Sequence, residues 1–219
     1  MGEELIKILY LFLGWLIAIL SPAIVEGIRN RRHSKEIKVV LQNEMHELQY
    51  LLVGIIFQIK DRFGQLDREF LILAKSVYDE YCGIDAEDYK ESLLKNVNGL
   101  LSIPADQLKV LSDSAMRKKP KGGLTIKKHH LPIFDSNISS LIWINEKLRN
   151  QLLEIKRRVS LLNELADEAQ SALNLTYQIG ITPQNYSNAE NNMIGSYTAY
   201  SKQAQQVVNL ISKIEAKKH

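Results

Sequence analysis

Cysteine is almost missing from this sequence, since Cys82 is the only one among 219 residues. A single cysteine excludes an intrachain disulfide framework and a cysteine-rich zinc site. Proline and glycine are also scarce, at five and eleven residues, which argues against the many turns of a β sandwich or barrel. Net charge is only +3, so the composition is not that of a strongly basic nucleic-acid-binding domain.

Recognisable catalytic and metal-binding motifs are missing as well. None of the five histidines belongs to the Glu-x-x-His pair of a ferritin-like dimetal site. His46-Glu47 begins like a zincin motif, but Tyr50 stands where the second histidine ligand belongs. Gly122-Gly123 lacks the Lys-Ser or Lys-Thr that completes a phosphate-binding loop. The sequence therefore predicts a protein that is not an enzyme and that uses no cofactor or metal.

What is present begins with a long apolar run near the N-terminus. From Ile8 to Val25 the chain carries no charge, and the apolar stretch extends to Leu5 and Ile28 with few interruptions. A run of about 18 to 25 apolar residues spans the hydrocarbon core of a bilayer. A cleaved signal peptide, a buried core helix and a lipid anchor are the alternatives. We predict that residues 1–33 form a transmembrane anchor with a basic juxtamembrane segment.

The charges that flank the span predict its orientation. The residues expected to contact lipid headgroups directly after it are Arg29, Arg31, Arg32 and Lys35. An excess of Lys and Arg marks the cytoplasmic side of a span. The N-terminus is therefore predicted to face out of the inner (plasma) membrane, with residues 34–219 as a cytoplasmic helical bundle. Within the span, Gly14 and Ala18 have the small-xxx-small spacing that favours helix self-association.

Residues 34–219 show helical periodicity almost throughout. Apolar residues recur every three or four positions, as amphipathic helices require, and the predicted helices are Ser34–Tyr81 (ended by Gly83), 86–101, 104–116, Asp135–Gln178 (capped by Asp135) and Glu190–Ala216. The last two have heptad spacing, and the short ITPQNYSN loop between them predicts an antiparallel hairpin. The expected fold is all-α: an N-terminal transmembrane helix followed by an elongated antiparallel helical bundle with coiled-coil-like packing.

Two further expectations concern this bundle. Asn145 falls in register with Leu141 and Leu148, so it is predicted to face the seam between helices and fix their register. If the two short helices lie at the end far from the membrane, Asp135–Gln178 must run back toward it. The loop that precedes this helix would then lie several Debye lengths from the lipid.

That loop, residues 117–132, is the strongest candidate binding site in the sequence. Its cations are Arg117, Lys118, Lys119, Lys121, Lys127 and Lys128. They predict either a mobile, solvated loop or a patch that binds an anionic partner, with nucleic acid as one option. The adjacent His129 and His130 suggest pH sensitivity near neutrality, although neighbouring cations disfavour their protonation.

The function predicted from these features is that of a non-enzymatic, membrane-anchored interaction module. It would tether a partner at the inner membrane or associate with further copies of itself. One terminal span before a helical cytosolic domain resembles the layout of effectors and accessory proteins of bacterial anti-phage immunity. That resemblance implies the alternative, an oligomeric effector that perturbs or perforates the membrane in antiviral defence.

Overall fold

The computed structural model describes residues 2–81, 87–116 and 124–215. All regular secondary structure in these ranges is helical. The elements are α1 Gly2–Arg62, α2 Arg68–Glu80, α3 Glu87–Leu101, α4 Ala105–Met116, α5 Pro132–Ser136, a 3₁₀ segment Ile138–Trp143, α6 Glu146–Thr176 and α7 Pro183–Glu215. The predicted all-α fold, with a long apolar N-terminal helix leading into a helical bundle, is confirmed.

Helix α1 is one uninterrupted helix of 61 residues, about 90 Å long at 1.5 Å per residue. Its N-terminal part is long and apolar enough to cross a membrane by length and composition, and none of that apolar window is buried against the rest of the protein. From Ile37 onward one face of α1 is buried. The same helix therefore supplies both the candidate span and the central wall of the bundle.

The predicted helix Ser34–Tyr81 is wrong in its continuity, because the chain reverses direction after α1. Gly64 adopts a φ of 64°, a left-handed conformation that glycine reaches without a steric penalty. The Asp67 side chain then accepts a hydrogen bond from Phe70 N at 2.8 Å and caps α2. Helix α2 runs back beside α1, so that the Tyr81 ring stacks on Tyr50 with centroids 4.1 Å apart. Gly83, the predicted end of this helix, lies outside the described residues.

The predicted helix Asp135–Gln178 is three elements rather than one. Asp135 lies within α5 and forms an ion pair with Lys156 at 2.6 Å, so it is not the N-cap of the long helix. That cap is Asn145, whose side chain accepts a hydrogen bond from Leu148 N at 2.8 Å. The placement of Asn145 in the helix seam is therefore also wrong, since its side chain is committed to the start of α6.

Helices α6 and α7 form the predicted antiparallel hairpin, although α7 begins earlier than expected. It starts at Pro183 rather than Glu190. Proline is favoured at the first helical position, because the N–H that it lacks would have no partner within the helix there. The loop between the helices is consequently shorter than ITPQNYSN. Both predicted apolar stripes are buried, for example Ile155 and Leu162 on α6 and Tyr200 and Val207 on α7. Coiled-coil packing between them stays a prediction.

The predicted direction of the second long helix is wrong. Leu148 near the start of α6 lines a crevice with Leu41 of α1 and Ile214 of α7, so α6 starts near the end of the bundle that adjoins the candidate span and runs parallel to α1. The chain returns from the far side through residues 124–144, which we call the return segment. The end of the bundle near Ser34 is called proximal below, and the opposite end is called distal.

Candidate functional site

The return segment is held against the α6–α7 hairpin by side chains that satisfy its backbone. The Tyr197 hydroxyl accepts a hydrogen bond from Leu124 N and donates one to Leu124 O, both at 2.7 Å. The Asn163 amide accepts from His129 N and donates to His129 O, both at 2.8 Å. These pairs replace the partners that a strand or helix would supply, so this non-helical stretch is fixed in place.

His129 is a buried titratable group in this network. Its Nε2 lies 2.8 Å from the Tyr200 hydroxyl, and the residue is only 8% exposed. Burial lowers the pKa of His129 to about 4, and the neighbouring His130 adds to the effect. The predicted pH sensitivity of His129 near neutrality is therefore wrong. Burial, rather than the nearby lysines, keeps this imidazole neutral.

A second polar clamp joins the return segment to α1. The Glu44 carboxylate accepts hydrogen bonds from Ile133 N at 2.7 Å and from Phe134 N at 2.8 Å. Burial raises the pKa of Glu44, while these two backbone hydrogen bonds oppose that shift. The carboxylate thus satisfies the free N–H groups at the start of α5. Its geometry indicates a structural role.

Only residues 124–132 of the predicted basic loop lie among the described residues. The predicted binding residues Arg117, Lys118, Lys119 and Lys121 lie outside the described residues. Lys128 forms an ion pair with Asp167 of α6 at 2.7 Å, whereas Lys127 is exposed. Hydrogen bonds and this ion pair hold residues 124–130 against the bundle, although Lys127 and Lys128 stay exposed, so the solvated loop stays a prediction. Anion binding by this loop stays a prediction.

The predicted membrane residues all lie on α1. The four juxtamembrane cations are exposed on successive turns and form a collar around the helix: Arg29, Arg31, Arg32 and Lys35. Ala18 is exposed, and a Cβ placed on Gly14 would meet no atom within 4 Å. The structure thus leaves the Gly14/Ala18 face open, which is the condition that close helix association needs.

The distal end of the α6–α7 hairpin carries an apolar surface that the sequence motifs did not predict. We call residues 175–186 the hairpin tip. Leu175 and Tyr186 are nearly half exposed, Tyr177 is 72% exposed and Ile179 is fully exposed. Gly180, at a φ of 80°, makes the turn that leaves Ile179 in solvent. An open groove between the two helices reaches the tip.

The hairpin tip itself carries no charged residue. No Asp, Glu, Lys or Arg occurs between Glu168 and Glu190, although charged residues make up 24% of the chain. The cores of protein interfaces are depleted in charge and enriched in tyrosine and other aromatic residues. This gap in charge was the signal in the sequence that could have located the surface, since it needs no knowledge of the fold.

A cluster of metal ligands is not among the features of the described residues. In residues 2–81, 87–116 and 124–215 no group of three His, Cys, Asp or Glu side chains is placed to hold a metal ion. Comparison with family models, with curated proteins and with solved structures found no match. A proposal about function therefore has to stand on the geometry of this chain.

Proposed function

We propose that this protein is a membrane-anchored interaction module that presents the hairpin tip to a protein partner in the cytoplasm. Helix α1 crosses the inner membrane with its N-terminus outside, and the bundle stands on the cytoplasmic side. The observation that carries the proposal is the exposed, charge-free cluster of Tyr177, Ile179 and Tyr186 at the end of the molecule opposite the candidate span.

The architecture suits presentation at a distance. Helix α6 begins level with Lys38 and Leu41 on α1, about 15 to 20 Å beyond the apolar run. Its 31 residues add about 46 Å, so the tip stands roughly 60 Å from the bilayer. Large exposed apolar side chains are costly in a water-facing loop unless a partner covers them. A surface at that height is accessible to soluble proteins.

The partner expected at the tip is a protein with an apolar, weakly charged recess. Tyrosine and isoleucine side chains gain most when they are buried in such pockets at the centre of an interface. A nucleic acid is disfavoured here because its affinity depends on neutralising phosphates with Lys and Arg. The tip offers neither. Nucleic-acid binding would instead fall to the basic loop.

A photo-crosslinking residue at position 179 of the full-length chain, expressed in its own host, tests this proposal. The matched control places the same residue at Val110 on α4, which is an exposed apolar position outside the tip. We expect a protein adduct from position 179 that the Tyr177→Ser/Tyr186→Ser background loses, and no adduct from position 110. Equal adducts at both positions, or none at either, would contradict a binding role for the tip.

The effector alternative is favoured by a different observation, the open Gly14/Ala18 face of the candidate span. In that case several copies would assemble through α1 in the membrane. The mass of the full-length protein in mild detergent separates the two proposals. A closed ring that Gly14→Leu disperses supports the effector. A monomer or dimer that carries a partner, and that tolerates Gly14→Leu, supports presentation by the tip.

A further inference from the structure

The 3₁₀ segment Ile138–Trp143 contacts α1 closer to its proximal end than helix α5 does. Ile133 and Phe134 are bonded to Glu44, whereas the Trp143 carbonyl accepts a hydrogen bond from the Ser34 hydroxyl at 2.8 Å. The chain therefore descends ten positions along α1, or about 15 Å, within these few residues. Ser34 is six residues beyond Ile28, which places Trp143 about 9 Å from the end of the apolar run.

This segment exposes large apolar side chains where a turn is usually polar. Ile138 is 55%, Ile142 67% and Trp143 46% exposed, while the intervening Leu141 and the following Ile144 are buried in the core. The two buried residues are enough to attach the segment to the bundle. Turns in water favour Gly, Pro, Asn, Asp and Ser, so three exposed residues of this size require an apolar or interfacial environment.

We propose that Ile138, Ile142 and Trp143 form a foot that rests in the headgroup layer of the membrane that α1 crosses. The inference rests on the membrane anchoring proposed above. Headgroups occupy roughly 5 to 8 Å on each side of the hydrocarbon core, so a tryptophan side chain at this height reaches them. Tryptophan is enriched at that depth because its ring is apolar and its N–H is polar.

The charges near the foot fit an anionic lipid surface. Between Glu26 and Lys38, α1 carries the four cations of the collar and Lys38 against the two acids Glu26 and Glu36. Each cation close to an anionic leaflet contributes about 1 kcal/mol of attraction. The foot and this collar lie at the same level on the same helix. A second contact beside the span would hold the bundle at one rotation and tilt relative to the bilayer, and so fix where the hairpin tip points.

Tryptophan fluorescence of the full-length chain tests the foot, because the protein contains only Trp15 and Trp143. The Trp15→Phe variant isolates Trp143 in vesicles of phosphatidylcholine and phosphatidylglycerol. We expect lipids brominated near the headgroup end of the acyl chain to quench its emission, and the emission maximum to lie to the blue of tryptophan in water. Emission that aqueous iodide quenches, and that brominated lipid leaves unchanged, would overturn the proposal.

Two matched variants keep the outcomes distinct. Trp143→Phe leaves Trp15, which should be quenched by bromines deep in the acyl chain if α1 spans the bilayer. Failure there would remove the anchoring and the foot together, whereas quenching of Trp15 without quenching of Trp143 would remove the foot alone. Tyr177→Trp in a chain without the two native tryptophans places the probe at the distal tip, where brominated lipid should have no effect. If neither iodide nor brominated lipid quenches Trp143, a protein contact covers this surface, and the lipid foot is overturned.

Discussion

The first part of the return segment, residues 124–134, and the hairpin tip both connect helices, yet the first buries its large apolar side chains and the second exposes them. The return segment buries Leu131 and Phe134 almost completely, whereas the tip leaves Tyr177 and Ile179 in solvent. Their composition does not explain this difference, because the return segment is the more highly charged of the two. Tyr177 and Ile179 bury little surface in the fold, so their apolar character requires a reason outside it.

Backbone hydrogen bonding separates the two connections further. The return segment depends on distant side chains such as Tyr197, Asn163 and Glu44 for its partners. The tip makes its own local turns, from Gln178 N to Leu175 O and from Ile181 N to Gln178 O. A connection that is satisfied locally can change its side chains freely, whereas one that is satisfied at long range is part of the folded core. Substitutions should therefore affect stability in the first region and association in the second.

The largest expected difference comes from truncating one apolar side chain in each region. Phe134→Ala removes a fully buried ring and should lower the free energy of unfolding by about 3 to 5 kcal/mol. Ile179→Ala removes a fully exposed side chain and should change it by less than about 0.5 kcal/mol. Denaturant unfolding of the full-length protein in detergent, followed by circular dichroism, measures both. Similar losses from the two variants would show that the tip is packed in solution.

Acid should act on the return segment through His129. Its pKa is about 4 in the folded chain against 6.5 for an ordinary histidine. The unfolded chain therefore binds the extra proton between these values, and stability falls as the pH drops through this window and levels off below about 4. At about 1.4 kcal/mol for each unit of pKa, the total loss attributable to His129 is about 3 kcal/mol.

The His129→Gln variant separates this effect from that of the carboxylates, which also titrate in acid. We expect its stability to depend less steeply on pH between 6.5 and 4 than that of the unmodified protein. His130→Gln, at the exposed neighbouring position, is the control and should keep the original slope. Parallel curves for the unmodified protein and His129→Gln would mean that the imidazole is accessible to solvent protons in the folded state.

Periodicity was sufficient to predict which residues are buried but not where the helices break. Phe63 and Leu66 continue the stripe of α1 at the helical period, and both are buried, although they lie in the turn before α2. Leu141 likewise continues the spacing of α6 from within the 3₁₀ segment. A core accepts an apolar side chain at the right height from a turn as readily as from a helix. The pattern therefore reports burial more faithfully than secondary structure.

The surfaces were harder to predict because they depend on contacts that are distant in sequence. Lys128 and His129 looked like solvated loop residues, and only Asp167 and Tyr200, on the hairpin, show that they are pinned. The lack of charge at the tip is visible in the sequence. Its exposure is not, because exposure follows from α6 and α7 extending past the end of α1. The sequence does not show that these helices extend past α1, because it does not show in which direction α6 runs.

The smallest expected difference between the two regions comes from removing a single hydroxyl in each. Tyr197→Phe removes the group that bonds Leu124 N and O but keeps the ring beside Phe63, 5.9 Å away. Two lost hydrogen bonds at a partly buried backbone should lower the free energy of unfolding by about 1 to 2 kcal/mol.

The matched variant Tyr177→Phe removes a hydroxyl from the tip, where the side chain is exposed, and should leave the unfolding midpoint unchanged. A difference between the two tyrosines measures how strongly the hairpin holds the start of the return segment. Equal midpoints would mean that water satisfies Leu124 when the hydroxyl is gone. The segment would then be held by its buried side chains alone, and the long-range hydrogen bonds would set its position without contributing to its stability.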